Sequence, residues 1–246
     1  MGYRTQTESV KWKGKAVRYV NVLFGIVVFG MVVLCSAVEP VADPDPNRFA
    51  KAIESFENWD SKNATPADPI LFVGSSSIVG WRTHDSFPEM PVINRGFGGS
   101  HFSDLLHYAD RVVMPYKPKV IVVYEGDNDV AGGKSARRVL ADYRRFVARV
   151  HAEFPKTPVI FITIKPSRSR WKLWPVMNEA NSLIKKHAET DTRLFFADLA
   201  TPLLGPDGRP DASLFKGDAL HLNDKGYARW TQVLRPIIKR AAHLNK

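Results

Sequence analysis

Ile70-Leu-Phe-Val73 runs without a break into Gly74-Ser75-Ser76-Ser77. A short apolar run rich in β-branched residues, ended at once by glycine and hydroxyls, reads as a buried parallel strand that empties into a turn. The same arrangement repeats along the chain. Short apolar runs recur at 91–94, 120–125, 159–164 and 194–197. Between them lie stretches with helical spacing. Phe49, Ala52, Ile53 and Phe56 mark one at 49–59, and others cover 103–113, 135–154 and 174–190. A last helix is expected from 223 to 243, with Asn223 as its N-cap. Strands alternating with helices predict βαβ units: an α/β fold in which a five-stranded parallel sheet lies between two helical layers. Ligands of such sheets bind outside the carboxyl ends of the strands.

The chain has 246 residues, 44% of them hydrophobic, enough to bury a sizeable core. Its formal charge is +10. Arg4, Lys11, Lys13, Lys15 and Arg18 against Glu8 place a net four of those charges in the first 37 residues. The rest is a mildly basic surface with dispersed Lys and Arg and no recognition motif, which excludes a nucleic-acid partner. The single cysteine, Cys35, leaves no disulfide framework and no cysteine-ligated metal site.

That cysteine lies in a charge-free stretch, residues 19–38, long enough to cross a bilayer and preceded by the basic cluster. The basic side is expected to stay in the cytoplasm while the remainder is exported. Cys35-Ser-Ala37 offers small residues for cleavage, so residues 1–38 are either a signal peptide or an uncleaved anchor formed by a hydrophobic helix. Residues 39–47, rich in proline and aspartate, read as a solvated linker. The folded domain is expected at 48–246.

Four motifs stand at predicted strand or helix ends. A serine in Gly74-Ser-Ser-Ser77 is a nucleophile only if a base takes its proton; otherwise the run caps a turn. Asp218-Ala-Leu-His221 supplies a base and a carboxylate that can orient it; alone it is equally a capped turn. Gly96-Phe-Gly-Gly99 leaves the backbone free to aim an N–H at a developing oxyanion. Gly126-Asp-Asn-Asp129 adds an amide donor, or an Asx turn. The seven histidines show no His-x-x-x-His pairing that would hold a metal.

Together these motifs, spread over residues 70–230, resemble the SGNH, or GDSL-type, serine hydrolases. Gly74-Ser75-Ser76 stands where that family has Gly-Asp-Ser, so the resemblance puts the nucleophile on Ser76, with Ser75 replacing an aspartate outside the triad. Asn94-Arg-Gly-Phe-Gly-Gly99 matches the second block and makes Gly99 an oxyanion donor. Gly126-Asp-Asn-Asp129 matches the third and makes Asn128 another. Asp218-Ala-Leu-His221 matches the last. Lys117-Pro-Lys-Val-Ile-Val-Val-Tyr124 resembles the branch containing the catalytic subunits of platelet-activating-factor acetylhydrolase. The resemblance implies a flavodoxin-like SGNH fold and a Ser76–His221–Asp218 triad. It also implies an oxyanion hole from the Ser76 and Gly99 N–H groups and the Asn128 amide, and ester hydrolysis without metal or organic cofactor.

The loop after the fourth strand, Lys165-Pro-Ser-Arg168-Ser-Arg170-Trp171-Lys172-Leu-Trp174, is expected on the rim of the site. Lys165, Arg168 and Trp171 are its candidate contacts to an acidic or sugar-bearing ester, since Trp faces stack on sugars and cations alike. Trp81 is expected in the core. The expected partner is thus a small-molecule, glycan or lipid ester, with a membrane contact through the N-terminal segment. An acyltransferase on the same triad and a non-catalytic, flavodoxin-like binding module are the competing readings.

Overall fold

A computed structural model describes residues 41–244 together with Met1, Gly2 and Gly14. The expected signal or anchor at 19–38 lies outside the described residues. Among the described residues no helix is long and apolar enough to cross a membrane. The chain divides between Glu39 and Pro40, and the second unit holds the sheet.

Five parallel strands form it: β1 (Ile70–Gly74), β2 (Val92–Gly96), β3 (Val120–Tyr124), β4 (Val159–Ile162) and β5 (Leu194–Ala197), in the order β2-β1-β3-β4-β5. The helices are α1 (Ala50–Asp60), α2 (Ser76–Val79), α3 (Thr83–Ser86), α4 (Phe102–His107), α5 (Ala109–Val112), α6 (Asp127–Ala131), α7 (Ala136–Glu153), α8 (Trp174–Ala188) and α9 (Asp224–Leu244). This is the three-layer α/β/α fold expected from the alternation of runs. After β2 the winding reverses and passes over β1 to β3. The crevice between the carboxyl ends of β1 and β3 is therefore the switch point where such sheets bind ligands.

β1, β3 and β4 are buried along their whole length, which is why their sequences are apolar without interruption. Alternate residues feed two cores. Leu71, Val73, Ile121, Val123 and Phe161 pack with Phe146 and Val150 of α7 and Ile184 of α8. Phe72, Val122, Tyr124, Ile160 and Ile162 pack with Trp81, Trp230 and Leu234. Trp81 is 2% exposed and meets the rings of Phe72, Phe87, Tyr227 and Trp230 at 5.4–5.7 Å between centroids, a core position as expected.

Capping sets the long helices. Ser135 accepts the Arg138 N–H at 3.2 Å, and Asn223 Oδ1 accepts those of Lys225 and Gly226 at 3.0 and 3.2 Å, as its N-cap role requires. The helix expected at 103–113 is instead two, α4 and α5. They part at Tyr108, whose ring stands edge-on to Phe97 and whose hydroxyl donates to Pro46 O at 3.1 Å. The stretch 41–47 is mostly exposed, but ion pairs tether it and the adjoining Arg48 to the domain. Asp43 accepts from Lys134 Nζ at 2.8 Å and from Arg138 at 2.6 Å, and Arg48 reaches the buried Asp104.

Candidate active site

The turn after β1 depends on glycine. Gly74 has φ +133°, and a Cβ there would stand 2.0 Å from Tyr124 O on β3. With no side chain in the way, Ser75 N–H donates to that same carbonyl at 3.1 Å and the chain turns at once into α2. Ser76 is the first residue of α2. Its N–H consequently has no acceptor within the helix and is free for a ligand. Ser75 and Ser77 are each 1% exposed, whereas Ser76 is partly open, so the hydroxyl presented to the crevice is that of Ser76.

His221 Nε2 lies 2.9 Å from Ser76 Oγ, and His221 Nδ1 lies 2.6 Å from Asp218 Oδ2. The carboxylate facing Nδ1 favours the proton on that nitrogen, which leaves Nε2 with a lone pair toward the serine hydroxyl. Asp218 Oδ1 accepts the N–H groups of Leu220 and His221, both at 2.9 Å. The His221 imidazole first, and these backbone donors next, hold the Asp218 carboxyl well below the usual carboxylate range. The tight loop places Ala219 in the left-handed region at φ +53°.

The expected oxyanion donors cluster at neighbouring strand ends. The loop after β2 crosses Ser76: a Cβ on Gly98 would lie 3.6 Å from Ser76 Cβ. Gly99 follows at φ +89°. After β3, Asn128 is the second residue of α6, and its Nδ2 donates to Ser100 O at 3.0 Å. Its neighbours brace it from both sides. Asp129 accepts the Phe102 N–H and Lys134 Nζ, while Asp127 turns toward the β4 loop.

That loop differs from expectation at Lys165. Its side chain is 1% exposed, and Nζ donates to Asp127 Oδ2 at 2.7 Å and to Tyr124 OH at 3.3 Å. Lys165 is thus an internal counter-ion, withdrawn from substrate because an isolated buried Asp127 carboxylate would be costly. Arg168 is exposed, its Nε donating to Pro210 O at 2.9 Å. Trp171 is half-buried and stacked on Trp174 at 6.2 Å. The group that reaches the site from this loop is Arg170, which the sequence reading passed over. Its Nη1 donates to Asp127 Oδ1 at 2.6 Å and to Asn128 Oδ1 at 3.0 Å. Ser169 N–H also donates to Ala219 O at 3.1 Å, tying this loop to that of His221.

Another buried acid sits one residue before the Gly126 turn. Glu125 is fully buried and accepts from Ser100 Oγ. Burial, and then the Asp129 charge, push its carboxyl well above the ordinary 4.5. The folded protein therefore keeps a proton that the unfolded chain releases above that pH, so Glu125 erodes stability as pH rises. Glu125→Gln mimics the neutral acid. Its melting temperature should exceed that of the native protein by about 4 °C or more at pH 8 and converge toward it near pH 4.5. A pH-independent difference would contradict a protonated Glu125.

Among the described residues no group of three or more His, Cys, Asp or Glu is arranged to hold a metal. The family model for GDSL-like lipases and acylhydrolases matches residues 72–229. No curated protein matches the sequence. Solved structures share the fold. A GDSL-like lipase from Bacteroides thetaiotaomicron is 21% identical over 80% of this chain and 98% of its own, with a TM-score of 0.64. A Streptococcus pneumonia chain provisionally described as a platelet activating factor is 20% identical over 77% and 99%, with a TM-score of 0.65. An acetylxylan esterase from Geobacillus stearothermophilus is 18% identical over 71% and 95%, with a TM-score of 0.57.

Proposed function

The chain belongs to the GDSL-like lipase/acylhydrolase family, and on that premise we propose that it is an exported or membrane-anchored serine esterase that removes short acyl or acetyl groups from a glycan or lipid. The observation that carries the reading is the unbroken line from Asp218 Oδ2 through His221 to Ser76 Oγ, with separations of 2.6 and 2.9 Å. Ser76 Oγ attacks the ester carbonyl while His221 Nε2 takes its proton. The carbonyl oxygen, now negative, is held by the N–H groups of Ser76 and Gly99 and by Asn128 Nδ2. Collapse expels the alcohol, which takes the proton from His221. Water, deprotonated by His221, then attacks the acyl-Ser76 carbonyl; collapse releases the carboxylic acid, and Ser76 Oγ takes the proton back from His221.

The alcohol side is read from two supports. Trp171 and Arg168 stand on the loop that bounds the triad, offering a stacking face and a cation. A structure of the same fold is an acetylxylan esterase, whose catalytic mutants replace a serine and a histidine. Export is supported by the basic residues that precede the apolar stretch 19–38.

The test uses the full chain with p-nitrophenyl acetate, p-nitrophenyl butyrate and acetylated xylooligosaccharides. Acetate release from the sugar, with acetate favoured over butyrate, is the expected result. Arg168→Ala should raise KM for an anionic ester about threefold or more and leave that for a neutral ester unchanged; equal effects would remove Arg168 from the substrate site. Transfer of acetyl to a second sugar in place of hydrolysis would assign a transferase. Fractionation of the expressing cells should find the protein at the membrane or outside the cytoplasm, and a soluble cytoplasmic pool would overturn the export reading.

A further inference from the structure

We propose that Arg170 is a positioning residue for the oxyanion hole: it orients and polarises the Asn128 amide, and the buried Asp127–Lys165 pair holds it in place. The inference rests on the reading of Ser76 as nucleophile and deepens it.

The two ends of an asparagine amide have nearly the same shape but opposite hydrogen-bonding roles, so its partners decide which end faces the substrate. Here Oδ1 accepts from Arg170 Nη1 at 3.0 Å and Nδ2 donates to Ser100 O at 3.0 Å. A flipped amide would set NH2 against the guanidinium and the carbonyl oxygen against that of Ser100. Both contacts would be repulsive, so the amide stays with Nδ2 toward the loop that crosses Ser76. One of its two N–H groups is taken by Ser100, which leaves the other for the substrate oxygen.

Arg170 is itself fixed. The same Nη1 donates to Asp127 Oδ1 at 2.6 Å, and the other oxygen of Asp127 takes Lys165 Nζ and the Tyr124 hydroxyl, at 2.7 and 3.0 Å. Asp127 is 4% exposed. Burial alone would raise its carboxyl, but the Lys165 and Arg170 cations outweigh that effect and hold it below the ordinary value. One buried carboxylate faces two cations, so this cluster keeps a net positive charge on the carbonyl side of the Asn128 amide. Donation to Oδ1 draws electron density from the amide and strengthens Nδ2 as a donor. The benefit falls where negative charge develops on the carbonyl oxygen and not on the neutral ester, so it belongs in kcat rather than in KM.

The experiment is a double-mutant cycle on the full chain with p-nitrophenyl acetate. Arg170→Ala should lower kcat about 10- to 100-fold at nearly unchanged KM. In an Asn128→Ala background the same substitution should change kcat less than about twofold, because the group through which Arg170 acts is gone. Millimolar guanidinium should restore part of the kcat of Arg170→Ala and none in the double variant. Equal losses in both backgrounds, or a loss carried by KM, would overturn the proposal. Where Arg170→Ala fails to fold, Arg170→Lys keeps a cation for Asp127 but cannot bridge both residues, and it should give the same non-additivity. The side-chain amide resonances of Asn128, assigned by their loss in Asn128→Ala, read the contact without turnover. They should shift in Arg170→Ala and in Arg170→Lys; unchanged resonances would overturn the proposal. If the native protein hydrolyses no ester and these resonances still shift, the role of Arg170 stands and the esterase reading falls.

Discussion

Ser76→Ala is expected to abolish ester hydrolysis while leaving the fold intact. The two halves of that expectation have separate physical grounds. The hydroxyl is partnered by His221 Nε2, the atom that takes its proton in the proposed mechanism, so its removal leaves that base with nothing to activate but water. Loss of the serine from such a unit lowers kcat by about 10³- to 10⁶-fold, and the oxyanion donors supply what remains. The structural effect is small because Ser75, not Ser76, is the N-cap of α2, and alanine is a good helix former at the first position. The melting temperature should move by less than about 2 °C. A fluorophosphonate probe should label the native chain and not the variant. Ser75→Ala and Ser77→Ala serve as register controls, since both side chains lie under the turn and cannot meet a substrate. A native rate in Ser76→Ala would move the nucleophile elsewhere.

Much of the fold was legible because β1, β3 and β4 are buried on both faces, and burial on both faces writes an uninterrupted apolar run. β5 is found where its run predicts, and the other strands begin or end within two residues of theirs. The short helices α2, α3 and α6 were not legible. Four or five residues are too few to display a 3.6-residue period, and these helices exist because the chain must turn at a strand end. The break at Tyr108 was hidden for a different reason: it is set by contacts with Phe97 and Pro46, not by any breaker in the local sequence. In the site, a serine of the 74–77 run, His221 and Asp218 were legible as residue types with a known division of labour; the choice of Ser76 came from the family resemblance, and the structure brings the three within hydrogen-bonding distance. Lys165 was misread. A lysine after a strand looks solvated until its partner is known, and that partner, Asp127, is 38 positions away. Arg170 was overlooked on the same ground, because its importance comes from Asn128 on another strand's loop.

Asp218→Asn should cost about 10²- to 10⁴-fold in kcat with little change in KM, because it reverses a proton preference without removing any contact to the acyl group. Asp218 makes two kinds of contact, and asparagine preserves one. Its carbonyl oxygen can still accept the N–H groups of Leu220 and His221, so the loop with its left-handed Ala219 should keep its shape. The other position becomes an NH2 donor facing His221 Nδ1. The imidazole then offers a lone pair there and carries its proton on Nε2, which points at Ser76 Oγ and can no longer accept from it. The side chain of Asp218 is 47% exposed, so water can partly replace the lost carboxylate. The loss should consequently fall below that of Ser76→Ala. The pH dependence separates this role from a structural one. The native carboxylate lies well below the usual range, because its charged form is the one that the imidazole and the backbone bind. Protonating Asp218 therefore contributes nothing to the rate profile between pH 5 and 8, about one unit and more above the ordinary carboxylate value. The acid limb of kcat/KM should arise from another group and persist in the variant at a lower plateau. Steady-state hydrolysis of p-nitrophenyl acetate across that range measures both quantities. A variant that keeps its rate within about threefold would show that His221 needs no carboxylate and would take Asp218 out of the catalytic unit.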